Sequence, residues 1–325
     1  MKRFTYWSVI LILLVGITSN ALAEKKPIKL KAVHFLRTGD TSLKPFYYYV
    51  DAVNKAAKGE LVIEIAGGPE AIPGKQQPEA VRNGFVDMAY VPCGWYAAVC
   101  APAAVMGLSR VGVTEGRKTG LHDFLVEEHK KAGMRFIGAN GFSGYFWLYC
   151  KKPIDNPDKL KGLRFRHSPT YTFFKGIGLV PITASIPDIY AGLERNLFEG
   201  LAIKHTSFIN FSLFEVCKYV IGPGFWPNYS IATIMNEKKF NQLPKHLQKL
   251  LLDVEEQEEP AMKKMMDSEE GKQWKKLGQE GVKHIKWSAE VSKMFLEKID
   301  QITLEARGKR LPPGMVEKMK GMMGF

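Results

Sequence analysis

Residues 151–203 read KKPIDNPDKLKGLRFRHSPTYTFFKGIGLVPITASIPDIYAGLERNLFEGLAI. After the turn-rich stretch 153–162, Leu163-Arg164-Phe165-Arg166 has the length of a short strand. The spacing then predicts a helix over 171–177, a strand over 179–182, a helix over 186–195 and a strand over 199–203. Short helices alternating with short strands describe an α/β region. It begins earlier, with strands predicted over 135–138 and 145–150.

Further toward the N-terminus a second unit of the same kind precedes it. Residues 28–36 alternate as a strand does, and 44–58 place Phe46, Val50, Val53 and Ala57 on one helical face before Gly59 stops the helix. A strand over 61–65 ends at Gly67-Gly68-Pro69. A short helix over 78–83 has proline near its start, as helix N-termini favour, and a strand over 86–91 follows. Strand–helix–strand–helix–strand implies parallel strands. Downstream, 243–259 opens a long helical tract that continues past Pro260. There is no internal repeat and no low-complexity linker.

The first residues read as a leader. Lys2 and Arg3 precede an apolar run over 9–17, and Ala21-Leu22-Ala23 supplies a small-x-small end, so cleavage is expected after Ala23. The run is short for a bilayer span of about 20 residues, and no later stretch is long and apolar enough to cross. Export to the periplasm follows. Loss of residues 1–23 lowers the net charge from +13 to +11.

With 325 residues, 46% apolar and 24% charged, the protein is globular and large enough to fold without disulfides. Cys93, Cys100, Cys150 and Cys217 form no CxxC, and three pairings are open to them in an oxidising compartment. The basic balance does not mark a nucleic-acid binder, because lysines and arginines are interspersed with acids along the helices. No P-loop, HExxH or GxGxxG after a strand is present, and Gly141-Phe142-Ser143-Gly144 lacks one spacer of a nucleophile elbow. His122 and His129 read as a solvated pair, and the glutamates at 255–256, 258–259 and 269–270 as solvated helix faces. No cofactor, metal site or catalytic constellation is indicated.

Lys152-Pro153-Ile154, Leu160-Lys161-Gly162-Leu163 with Arg166, Gly178-Leu179-Val180-Pro181, Asp188-Ile189-Tyr190-Ala191-Gly192-Leu193 and Glu199-Gly200 form an ordered set. Upstream stand Glu79-Ala80-Val81-Arg82-Asn83-Gly84 and Val86-Asp87-Met88-Ala89; downstream stand Leu243-Pro244 and Leu247-Gln248. The set resembles the solute-binding proteins of tripartite ATP-independent periplasmic (TRAP) transporters, of the dicarboxylate-binding-protein (DctP) type, over essentially the whole sequence after the leader. The resemblance implies an α/β, two-lobed periplasmic-binding-protein fold with mixed sheets, its lobes joined by hinge strands and a long spanning helix. Lobe I is expected over 24–147 and about 231–275, lobe II over 148–230 and about 276–325. It implies no enzymatic activity. Its implied partners are a small organic acid and the small and large membrane subunits of a permease; nucleic acid is not among them, and the protein is not itself membrane-embedded.

Arg166 matches the family arginine that holds the ligand carboxylate, a task suited to its planar fork. Arg164 shares its face in strand parity and reads as surface or packing. Where sialic-acid-binding members carry a second arginine, a stacking aromatic and polar residues, this sequence has Phe146, Ile186, Ile203 and Phe35. Each difference makes the pocket less polar. Trp95 and Tyr96 lie in the loop that borders the family's cleft, and Trp226 in a loop that reaches it. Tyr190 is placed to bond the ligand or brace Arg166; His34 and His205 fall near the cleft. Tyr145, Trp147 and Tyr149 have the opposite parity to Phe146 and are expected in the core. The expected ligand is a monocarboxylate with an apolar or aromatic body. The alternatives are a ligand-sensing module for a signalling receptor and an exported hydrolase.

Overall fold

The computed structural model describes residues 26–139, 145–167, 172–226 and 228–325. The leader, the glycine-flanked Ser143 segment at 141–144, the start of the helix expected at Tyr171, and Pro227 lie outside the described residues. In sequence order the first half contains β1 (Ile28–His34), α1 (Lys44–Ala56), β2 (Leu61–Gly67), α2 (Gln77–Arg82), β3 (Met88–Pro92), α3 (Val113–Lys118), α4 (Leu121–Lys131) and β4 (Met134–Gly138). Next come β5 (Phe146–Cys150), β6 (Arg164–His167), β7 (Val180–Thr183), α5 (Ile189–Glu194), β8 (Gly200–Lys204), α6 (His205–Asn210) and β9 (Tyr219–Phe225). The last part holds β10 (Ile231–Asn236), α7 (Glu237–Gln242), α8 (Lys245–Gln279), β11 (Lys283–Ile285), α9 (Ala289–Gly308) and α10 (Met315–Met323).

Two mixed sheets result. The first has the order β2-β1-β3-β10-β4, the second β11-β9-β5-β8-β6-β7. β1 is parallel to β2 and β3, while β10 runs antiparallel to β3 and β4. In the second sheet β6 is parallel to β7 and β8, and β5 is antiparallel to β8 and β9. The backbone leaves the first sheet after Gly138, builds most of the second from Phe146 to Phe225, and returns for β10. All six residues of β10 are buried, as expected for a strand covered on both faces.

The local causes are legible. Helix α1 has proline in its first turn and buries Phe46, Tyr49, Val50 and Val53 on one side. Helix α8 covers 35 residues, hence roughly 50 Å, and runs on through Pro260. It serves both halves: Tyr48 donates to Glu258 at 2.8 Å, and Gln273 donates to Thr206 at 2.7 Å. Among the described residues no helix is long and apolar enough to cross a membrane.

Several expectations need correction. The helix expected over 186–195 begins only at Ile189, because Pro187 disfavours helical geometry at Ile186. Within 172–177 the regular element is a single 3-10 turn at Lys175–Ile177. Glu255, Glu259 and Glu269 are buried rather than solvated. Arg117 explains Glu259, donating through Nη2 to its carboxylate at 2.6 Å and through Nε at 3.1 Å. His122 and His129 are likewise buried, tilted against Phe136. The four cysteines are free and buried. Trp147 and Tyr149 do pack in the core, and Arg164 is exposed beside Glu199.

Candidate functional site

The parallel arrangement of β1 with β3 brings the ends of these strands, His34 and Pro92, to one edge of the first sheet. β6, β7 and β8 are parallel too, so Arg166-His167, Ile182-Thr183 and Ile203-Lys204 end at one edge of the second. In open α/β sheets the crevice beyond the carboxyl ends of strands is the usual ligand site. A cavity of about 240 Å³ lies where the two edges meet. Phe35, Leu36, Asp40, Ser42 and Pro92 line it from the first sheet's side. Phe146, Ile203, Lys204, Thr206 and Ser207 line it from the second, with Ser230 and Ile231 at the return strand.

Two wider grooves, about 460 Å³ each, follow α9. They are formed by the flanks of α9 with Arg110, Glu297 and neighbouring residues, away from the converging strand ends. The smaller cavity is the better candidate because elements of both sheets meet in it.

Three residues singled out in the sequence therefore share one cavity: Phe35, Phe146 and Ile203. Trp95 joins them indirectly, its ring edge-on to Phe35 with centroids 5.6 Å apart. Gly74 makes that position possible, since a Cβ there would lie 2.7 Å from the Trp95 ring. Phe146 stacks on Phe225.

Arg166 is buried at the end of β6, and its Nε donates to the Ala184 carbonyl at 3.1 Å. That bond fixes the guanidinium on the strand end; the residue is not among those lining the cavity. His34 is fully buried beside the site: Nδ1 donates to Leu36 O at 2.8 Å, and Nε2 accepts from Tyr47 at 3.1 Å. His205 directly follows Lys204 but turns inward, stacked on Trp147 and bonded to Tyr149. Burial holds its imidazole neutral, with the pKa lowered to about 3.

The remaining residues stand elsewhere. Tyr96 is in the core, against His129. Trp226 donates to Asp300 at 3.0 Å and borders a groove along α9. Ile186 is exposed, and Tyr190 donates to Glu215 at 2.7 Å rather than to Arg166.

Sequence reasoning missed Lys204, Asp40 and the serines. Lys204 has its Nζ 4.8 Å from the centroid of the Phe146 ring. Loss of hydration lowers its pKa to about 7, although Asp40 and Glu270 favour its charged form. The alternation of β8 could have shown that Lys204 follows Ile203 onto the opposite face. Only the pairing with β5 shows that this face carries Phe146.

The family profile described as bacterial extracellular solute-binding protein, family 7 (DctP) matches residues 32–309. A solute-binding protein of Albidiferax ferrireducens is 23% identical over 234 residues, 67% of each protein. A TRAP periplasmic solute-binding protein from Ochrobactrum anthropi, with a C-terminus bound in its ligand-binding pocket, superposes with a TM-score of 0.79 at 13% identity, covering 92% of this protein and 95% of that one. DctP7 of Bordetella pertussis, an extracytoplasmic solute receptor binding pyroglutamic acid, gives 0.71 at 15% identity, with 91% and 99% covered. Two mixed sheets, a crossing helix and an interface cavity therefore coincide with a profile spanning most of the sequence, and the protein belongs to the DctP family of bacterial extracellular solute-binding proteins, family 7.

Proposed function

We propose that this protein binds a small organic acid, a monocarboxylate with an apolar or aromatic body, between two lobes and delivers it to a TRAP permease with one small and one large membrane subunit. The lobes correspond to 24–147 with about 231–275 and 148–230 with about 276–325. The observation that carries the reading is the cavity where the strand ends of both sheets meet, with Phe35, Phe146 and Ile203 on its walls. Hinge closure around such a site excludes water. Arg166, buried at the adjacent strand end, is the candidate for the carboxylate, its head held by Ala184. A sugar acid would leave hydroxyls unpaired against these rings, at roughly 1–3 kcal/mol each.

The occupants of the two solved relatives support an acid: a C-terminus in one, pyroglutamic acid in the other. The protein performs no chemistry on the ligand and works in the periplasm after removal of residues 1–23. Titration calorimetry across aromatic, branched, keto and sugar acids tests the ligand class. Tight binding of hexuronic or sialic acids without affinity for aromatic acids would overturn it. Full affinity in Arg166→Ala would sink the carboxylate assignment.

A further inference from the structure

Lys204 ends β8 inside the candidate cavity, opposite Phe146 in the β5–β8 pairing. Lysines with only a structural role extend their ammonium toward water. Here the Nζ lies over an aromatic face, at a distance where the ring quadrupole attracts a cation. Thr206 and Ser207 line the same wall and offer further hydrogen bonds.

Arg166 reads a different place. It pairs with Leu201 across β6–β8, three positions before Lys204 and of opposite parity. Three strand residues correspond to roughly 10 Å of backbone, and opposite parity starts the two side chains from opposite faces of the sheet, which places the two cations for separate groups.

We propose that Lys204 is a specificity-determining contact that reads a second electronegative group, a carbonyl or an oxyanion, on the body of an acid whose carboxylate is held by Arg166. This rests on the reading of the cavity as an acid site. Charged groups that act on Lys204 include Asp40, from the segment after β1, and Glu270 of α8, itself flanked by Asp267 and Lys263. With its pKa lowered to about 7, Lys204 is charged below that pH and neutral above it. The contact therefore weakens as pH rises from about 6 to 8.5.

Titration calorimetry with three matched probes tests this. 3-Phenylpropionate offers only the carboxylate, phenylpyruvate adds a carbonyl, and 3-(4-carboxyphenyl)propionate adds a distal oxyanion. The intact protein is expected to bind one of the substituted probes at least about tenfold more tightly than 3-phenylpropionate at pH 6, with the gain shrinking by pH 8.5. Lys204→Met is expected to abolish the gain, bringing the substituted probes to the affinity that the same variant shows for 3-phenylpropionate; Lys204→Arg is expected to keep the gain at both pH values. Binding of 3-phenylpropionate with no gain for either substituted probe overturns the role of Lys204 alone. So does a gain that survives Lys204→Met, or an equal loss for all three probes. Failure of all three to bind the intact protein overturns the acid reading, and this inference with it.

Discussion

Tyr96 donates its hydroxyl to His129 Nε2 at 3.0 Å, and the opposite ring nitrogen, Nδ1, donates to the Leu125 carbonyl at 2.7 Å. Both residues are buried, and their rings meet edge-on. The pair fixes a neutral imidazole with its proton on Nδ1. It also explains why Tyr96, though next to Trp95 in sequence, faces the core.

Acid should therefore weaken the fold through this histidine. Burial lowers its pKa from 6.5 to about 4, so the unfolded protein binds more protons between those values. Stability rises with pH there: the contribution is present above about 6.5 and is lost as pH falls toward 4. Denaturant unfolding at pH 7 and pH 4.5 is expected to show a loss of about 2 kcal/mol traceable to His129. His122 and His205, buried in the same way, keep part of the slope; His129→Gln should reduce it by its own share, and an unchanged slope refutes the assignment.

Trp95 is held by close approach of the loop at Gly74. Gly74→Ala is expected to push the ring from its place against Phe35 and to cost about 1–3 kcal/mol, as overpacking does. Trp95→Ala in the same protein should recover most of that loss. Additive effects in thermal unfolding of the double variant would show that the two residues do not press on each other.

Trp226 should matter for stability and not for ligand. Trp226→Phe leaves Asp300, buried and also paired with Arg110, without one donor. A loss of about 1–3 kcal/mol is expected. Ligand affinity should stay within about twofold, because the ring lies outside the candidate cavity. A large affinity loss in calorimetry would return Trp226 to the ligand site.

The cysteines should be silent until the protein unfolds. Burial raises the thiols of Cys93 and Cys100 to about 12 and pushes Cys217 higher still. Disulfide exchange requires thiolate. A chromogenic disulfide reagent is expected to find no reactive thiol in the native protein and all four after denaturation. Fewer than four in the unfolded, unreduced protein would demonstrate a disulfide.

Arg166→Ala is expected to weaken acid binding by roughly 1.5–3 kcal/mol, the worth of charge-assisted hydrogen bonds. Phe146→Arg should shift preference toward more polar acids by supplying a cation in place of a ring. Retention of the original ligand order would detach Phe146 from the site.

The amino-acid sequence by itself determined most of the strands and helices from β1 to β8 and the start of α8, because periodicity and glycine or proline stops are local; β9, β10, β11, α9 and α10 emerged only in the fold. It also determined the family, since the motifs around Leu160-Lys161-Gly162-Leu163 and Gly178-Leu179-Val180-Pro181 are contiguous. Parity correctly separated Phe146 from Trp147 and Tyr149. Which residues meet across the cavity was decided only by tertiary structure. Phe35 directly follows a strand of one sheet and Lys204 ends a strand of the other, 169 positions apart in sequence, and they come together through the return of β10 and the course of α8. Burial of Glu259 and His129 likewise depends on partners, Arg117 and Tyr96, that no local pattern could supply. Local sequence fixes backbone preference; the neighbourhood of a side chain is set by the packing of elements distant along the sequence.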